Sequence, residues 1–167
     1  LSSWQQLLAD PQLPQAAAAT FISTLIAVGG ALLLTLLIIA TLWPSPAWQR
    51  LASRLPWLLA LPHVAFASAA LLLFAEGGAL YRLLPALSPI QDRYGIGLGL
   101  VLAVKESGFL LWVCWALLGE RRLAEQVVVF KSLGYGRGQC LNRVILPSLM
   151  PSLSVALLAT TAWTLSV

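Results

Sequence analysis

The chain has 167 residues, of which 59% are hydrophobic and only 10% charged, and its formal net charge is +4. Soluble globular domains carry about 25% charged residues, so this composition excludes an ordinary soluble domain. The basic residues lie in short stretches between long apolar segments, as expected of cytoplasmic loops, which argues against a nucleic-acid-binding protein. We therefore expect an integral membrane protein.

Three long windows contain no charged residue: between Asp10 and Arg50, between Arg54 and Glu76, and after Arg143. Each is long enough for a membrane-crossing helix, which needs about 20 apolar residues. These three windows, and the apolar segment 94–118 in which Lys105 and Glu106 are the charged residues, predict an all-α transmembrane bundle. Its four spans are expected at about residues 15–43, 56–75, 94–118 and 147–167.

Prolines mark the predicted boundary between the first two spans. The run Trp43–Pro46 is expected to end the first span, because proline lacks a backbone N–H and disfavours continued helix. A loop is predicted from there to Leu55. Pro62 lies inside the second span and predicts a kink, unless a neighbouring helix satisfies the freed backbone groups.

Three glycines open the third predicted span, at positions 95, 97 and 99. Small residues four apart permit close contact between membrane helices. Glycines near a helix end also occur simply where packing is loose. The sequence leaves both interpretations open.

The charges of the connecting segments predict an orientation. Arg50 and Arg54 make the first loop basic, and residues 119–146 carry five basic and two acidic residues. The connection from Glu76 to Arg93 has no net charge. Four spans with Leu1 outside place both basic segments in the cytoplasm.

Because the chain begins without methionine and stops inside an apolar segment, we expect it to be part of a longer polypeptide.

The segment 119–146 is mostly polar and is predicted to hold two short helices broken at Gly134. Glycine permits a left-handed turn that other residues resist. The spacing of the motif is a glycine at 134, nine residues, and then Val144-x-Leu146-Pro147. An ordinary loop whose glycine and proline mark turns would also fit this spacing alone.

This motif, with the order and sidedness of the spans, resembles the cytoplasmic loop of binding-protein-dependent ABC transporter permeases. That family's pattern is Glu-Ala-Ala, three residues, Gly, nine residues, then Ile-x-Leu-Pro. Val128, Val129 and Phe130 occupy the Glu-Ala-Ala places, so the acidic opening is missing here. The closest resemblance is to one module of the tandem permeases associated with iron(III), thiamine or polyamine uptake, over roughly residues 15–167.

The resemblance implies a permease module of a bacterial importer in the inner membrane, surrounded by lipid and forming half of a solute pathway. Its implied partners are a cytoplasmic ABC ATPase, an external solute-binding protein and a second permease module, fused or separate. The sequence lacks a phosphate-binding Gly-x4-Gly-Lys-Ser/Thr loop, so we expect ATP hydrolysis in a separate subunit, and no cofactor or metal. The implied ATPase-coupling residues are Phe130, Leu133, Gly134, Tyr135, Arg137, Val144, Leu146 and Pro147.

Lys105 and Glu106 form a charged pair near the middle of the third predicted span. Each charge costs about 2.5–3.5 kcal/mol there on insertion scales, so both side chains are expected to face protein or water. They either line the solute pathway or form a structural pair. Adjacent helical residues point about 100° apart, which predicts different partners for the two. His63 has no accompanying metal ligands and is expected to pack or hydrogen-bond near the Pro62 kink.

Two other functional classes fit the sequence less well. One is a secondary transporter powered by an ion gradient, with Lys105 and Glu106 as its titrating groups. The other is a membrane scaffold without transport activity, whose basic loop recruits a soluble partner or anionic lipid.

Overall fold

The computed structural model of the chain describes residues 3–75, 77–79, 81–83 and 94–166. The described part is helical and contains no strand, which confirms the predicted all-α fold. Its helices are α1 (Ser3–Leu8), α2 (Leu13–Leu42), α3 (Pro46–Leu59), α4 (His63–Phe74), α5 (Ile96–Leu118), α6 (Arg121–Ser132), α7 (Arg137–Cys140) and α8 (Leu146–Leu165). A π-helical segment, Leu141–Ile145, joins α7 to α8. Most of the predicted connection from Glu76 to Arg93 lies outside the described residues.

Three helical runs are long and apolar enough to cross a membrane: α2, α5 and the uninterrupted run Arg137–Leu165. The bounds of α2, α5 and α8 coincide closely with the predicted spans 15–43, 94–118 and 147–167. Many large apolar side chains on these helices are exposed, including Phe21, Leu100 and Leu158. Such a surface suits lipid, which solvates apolar side chains without cost.

The region between Pro44 and Ala75 differs from the prediction. Residues expected to form a loop lie largely in α3, and the predicted span 56–75 is divided between α3 and α4, which meet at a bend of 99°. The helix begins at Pro46, where the missing N–H costs nothing because the first-turn donors have no intrahelical partner. The run of prolines therefore marks a helix start as well as a helix end.

Burial stabilises α3 in this region. Trp48, Ala52 and Leu55 recur at helical spacing and are all buried, while Arg50 and Arg54 lie on the exposed face. The α3 helix ends before Pro62, and α4 begins immediately after it. The predicted break at Pro62 is therefore present, and it is a sharp bend between two helices.

Small residues allow α2 and α5 to form the most extensive helix pair of the described chain. A Cβ atom added at Gly99 would lie 2.8 Å from the carbonyl oxygen of Ser23, and one at Gly95 would lie 3.0 Å from Ser23 Cβ. The close-contact interpretation is therefore correct for these two glycines. On α2, a Cβ atom added at Gly30 would lie 2.8 Å from the Cβ of Ala103 in α5.

Two adjacent glycines of α2 provide a matched test of this packing. We expect Gly30→Ala to destabilise the protein by about 1–3 kcal/mol, because the new methyl group forces α2 and α5 apart. Gly29 has nothing within 4 Å of an added Cβ. Gly29→Ala should be neutral or stabilising by about 0.5–1 kcal/mol, since alanine is the better helix former. Thermal unfolding of the two variants in detergent measures the difference, and equal stabilities would contradict the close approach.

The main apolar core lies at the end of α2 and α5 nearest to α6. It gathers buried side chains from α2, α3, α5, α6 and the start of α8, among them Ile39, Trp48, Cys114, Leu123 and Leu149. Phe130 and Tyr135 pack against its edge. The segment that carries the sequence motif is thus anchored on the main apolar core.

Candidate functional sites

The Gly134 turn joins α6 to α7. Gly134 has φ of +87°, in the left-handed region, and an added Cβ would find nothing within 4 Å. Its N–H donates to the Lys131 carbonyl at 3.0 Å, and the Tyr135 N–H donates to the Phe130 carbonyl at 3.1 Å. This pair of bonds, with glycine at the left-handed position, is the Schellman motif that ends many helices. The glycine is required by its backbone conformation and not by crowding.

Tyr135 and Phe130 stabilise this turn from within. Their ring centroids lie 5.1 Å apart, which supplies the apolar contact typical of a Schellman motif. The guanidinium of Arg143 lies 5.6 Å from the centroid of the Tyr135 ring, within cation–π range. The Gly136 N–H donates to Gln139 Oε1 at 3.1 Å and so caps α7. Phe130 and Tyr135, predicted as contacts for a partner, therefore lie half-buried against the chain itself.

The remaining motif residues separate into exposed and buried groups. Leu133 lies at the apex of the turn with 69% of its surface exposed, and Gly134, Arg137 and Pro147 are exposed as well. Val144 is buried in the core and Leu146 is half-buried. The structure therefore brings all the motif residues into one segment, of which only part faces outward.

Two exposed residues of α6 extend the apolar apex and were not predicted as contacts. Val128 and Val129 are 66% and 55% exposed, whereas Leu123 and Val127 of the same helix are buried. Val129 and Leu133 are four residues apart and share one side of the helix end. The sequence signal was available, because two adjacent apolar residues stand on the polar side of an amphipathic helix. We call Val128, Val129 and Leu133 the apical patch.

The turn continues into α8 without a break in the helical backbone. In the π-helical segment the Leu146 N–H donates to the Leu141 carbonyl, five residues back. Pro147, which has no N–H, follows at the start of α8. A π-turn widens the helix by one residue and often marks a functional position. The two short helices predicted on either side of Gly134 are therefore present, and the second runs without interruption into α8.

Lys105 and Glu106 are both buried in the middle of α5, and they meet different partners, as predicted. The Lys105 ammonium donates to the Leu58 carbonyl at 2.5 Å and lies 5.9 Å from the centroid of the Phe66 ring. Oε1 of Glu106 is hydrogen-bonded to Nε2 of His63. Packing and a hydrogen bond were the two expectations for His63; the hydrogen bond is present, and its partner is one of the two buried charges.

A cavity of about 280 Å³ lies beside this charged pair. Its walls come from α3, α4, α5 and α8, and include His63, Lys105, Glu106, Phe109 and Trp163. Among the residues that the structure describes, no three His, Cys, Asp or Glu side chains come together as metal ligands. At the cavity wall, His63 and Glu106 bond to each other, and Lys105 donates to a backbone carbonyl.

Comparison with known proteins agrees with the motif. The chain is 62% identical over all of its 167 residues to the inner membrane ABC transporter permease protein YnjC of Escherichia coli strain K12. The chain is therefore similar to one part of an inner-membrane ABC transporter permease. It spans 33% of the length of that relative. No family model and no solved structure matches it.

This similarity confirms the predicted resemblance to ABC transporter permeases and the predicted multi-pass location in the inner membrane. The apolar helices α2, α5 and α8 agree with that location. The contacts of the motif residues with a partner stay predictions.

Proposed function

We propose that the chain is part of an importer's permease and forms half of its solute pathway. In this proposal the segment around Gly134 docks on a separate cytoplasmic ATPase, which hydrolyses ATP. An external binding protein delivers the solute. The similarity to an ABC transporter permease over the whole chain supports this assignment.

The observation that carries the proposal is the form of the segment from α6 to α8. The Schellman turn fixes the angle between α6 and α7, and the core beneath it holds both helices in place. The apical patch exposes three apolar side chains, and the exposed cationic Arg137 follows Leu133 by four residues. Apolar contacts surrounded by polar ones are the usual composition of an interface. A partner that moves the patch would also move α8, because the shared core holds α6 against the uninterrupted helix that begins at Arg137.

A second module is part of the proposal. The relative is about three times as long as this chain, since the match covers 33% of it. A polypeptide of that length has room for two such modules, as the resemblance to the tandem permeases implies. The solute would pass between the modules.

Copurification of an ATPase with the full-length parent protein tests the docking role. The triple variant Val128→Ala/Val129→Ala/Leu133→Ala removes the apical patch without changing charge. We expect the amount of copurified ABC ATPase to fall about tenfold or more, because each buried CH₂ group contributes about 0.8 kcal/mol and about 1.4 kcal/mol corresponds to a tenfold change in affinity. Quantitative mass spectrometry of the purified complex measures it.

The double variant Glu125→Ala/Gln126→Ala is the matched control, because both residues are exposed polar positions on the same helix. It should retain the ATPase. Equal recovery of the ATPase with the triple variant and the wild type would contradict docking through the apical patch. Recovery of no ATPase with the intact wild-type protein would contradict the importer assignment itself.

A further inference from the structure

Two side chains from one turn of α5 bind the two sides of the break between α3 and α4. Lys105 and Glu106 are neighbours in the chain, 2% and 3% exposed, and each binds a different side of the break. Lys105 donates to the carbonyl of Leu58, in the last turn of α3. Glu106 is hydrogen-bonded to His63, the first residue of α4. The two charges therefore fix both ends of the 99° bend.

Helix electrostatics explain why opposite charges suit these positions. The last carbonyl groups of a helix have no intrahelical partner and carry partial negative charge, which a cation stabilises. The start of a helix carries partial positive charge, which a carboxylate stabilises. From α5, the Lys105 ammonium reaches the end of α3, and the Glu106 carboxylate reaches the start of α4. Their burial in an apolar span is offset by these interactions.

His63 has a second contact, with the far end of α8. The rings of His63 and Trp163 lie 4.9 Å apart between centroids, with an interplanar angle of 32°. Trp163 belongs to the uninterrupted helical run that begins at Arg137 beside the Gly134 turn. At about 1.5 Å per residue, those 29 residues span about 44 Å. One end of this helix is the proposed docking segment, and the other end touches the bend.

Two cavities of the described structure meet at the same place. The cavity beside the charged pair and a larger one of about 600 Å³ around the break share Leu59, His63 and Trp163 in their walls. A displacement of His63 therefore changes the shape of both cavities.

We infer that His63 is the positioning residue through which α8 sets the angle between α3 and α4. Glu106 holds one side of the His63 imidazole by a hydrogen bond. Trp163 contacts the ring and moves with α8 when the segment around Gly134 is displaced. Movement of the docked segment then opens or closes the cavities at the bend. This inference rests on the proposed function, because it requires an ATPase to displace α8.

Cysteine labelling at the break tests the inference in the full-length protein with its ATPase. Leu61 lies within the break and is 47% exposed, whereas the native Cys114 and Cys140 are buried. Leu61→Cys, on a background with the other cysteines replaced, is reacted with a maleimide in liposomes, with and without ATP and vanadate. We expect the labelling rate to change about threefold or more between these states, as a shift between two conformations requires.

Three tryptophan variants separate loss of the His63–Trp163 contact from a general loss of structure. Trp163→Ala should reduce the nucleotide-dependent change to less than about 1.5-fold, while Trp163→Phe, which keeps an aromatic ring on His63, should preserve it. Trp115→Ala, at an exposed position of α5, should also preserve it. The amount of copurified ATPase should be the same in all three.

A full nucleotide-dependent change in Trp163→Ala would overturn the inference. The inference would also be overturned if the Leu61→Cys protein with native Trp163 and bound ATPase were labelled at the same rate with and without nucleotide. If no ATPase is recovered with the wild type, the proposed function fails, and the inference fails with it.

Discussion

Gly134→Val is expected to reduce stimulation of the ATPase by the permease about tenfold or more, while the protein still inserts in the membrane. At φ of +87° a side chain meets its own backbone, at a cost of about 1–2 kcal/mol for an ordinary residue and more for a β-branched one. Because about 1.4 kcal/mol corresponds to a tenfold change, a cost of this size is enough to move the α6–α7 turn away from its binding geometry. ATP hydrolysis by the complex in liposomes measures the effect.

Gly136→Val is the control for this substitution. Gly136 lies two residues away in the same turn, also with nothing within 4 Å of an added Cβ, but its φ is −73°. Valine is tolerated at that φ, so most of the ATPase stimulation should remain. Equal stimulation in the Gly134→Val and Gly136→Val complexes would show that the left-handed turn does not matter for coupling.

Removal of Glu106 is expected to produce the largest loss of stability. Glu106→Ala leaves His63 without its hydrogen-bond partner and Lys105 without a neighbouring negative charge, both inside the membrane region. Leaving a buried polar group without its partner typically costs about 1–3 kcal/mol, and more when that group is charged. Thermal unfolding of the purified protein in detergent should show the loss. Glu106→Gln should lose less, because the amide can still hydrogen-bond to the imidazole.

Glu125→Ala is the matched control, since Glu125 is an exposed glutamate on α6. Exposed substitutions away from special features usually change stability by less than about 0.5 kcal/mol. A Glu106→Ala variant as stable as Glu125→Ala would contradict a structural role for the pair in holding the bend. It would then favour the pathway interpretation that the sequence left open.

The α3 helix shows where prediction from the sequence stopped. Composition assigned residues 44–55 to a loop, because Pro44 and Pro46 disfavour continued helix and Arg50 and Arg54 disfavour the membrane. The sequence also contained Trp48, Ala52 and Leu55 at helical spacing. This pattern stabilises a helix only when a partner surface covers it, and here α5 provides that surface.

The segment from α6 to α8 was likewise predictable only in part, because some of its features depend on local sequence and others on tertiary packing. The position of the Gly134 turn could be predicted, because only glycine adopts its backbone conformation without strain. Which apolar side chains point outward could not. Phe130 and Tyr135 pack on the core beneath the turn, while Val128 and Val129 remain exposed, and that choice depends on where α6 rests on the rest of the bundle.

The sequence by itself determined the all-α membrane class, the positions of three apolar helices, the glycine turn and the resemblance to ABC transporter permeases. These follow from local properties: the absence of charge over long windows, the conformational freedom of glycine and the spacing of a motif. Only the tertiary structure decided the partners of Lys105 and Glu106, which lie 47 and 43 residues away in the chain. Adjacent helical residues must point in different directions, but the groups that they meet depend on how distant helices pack.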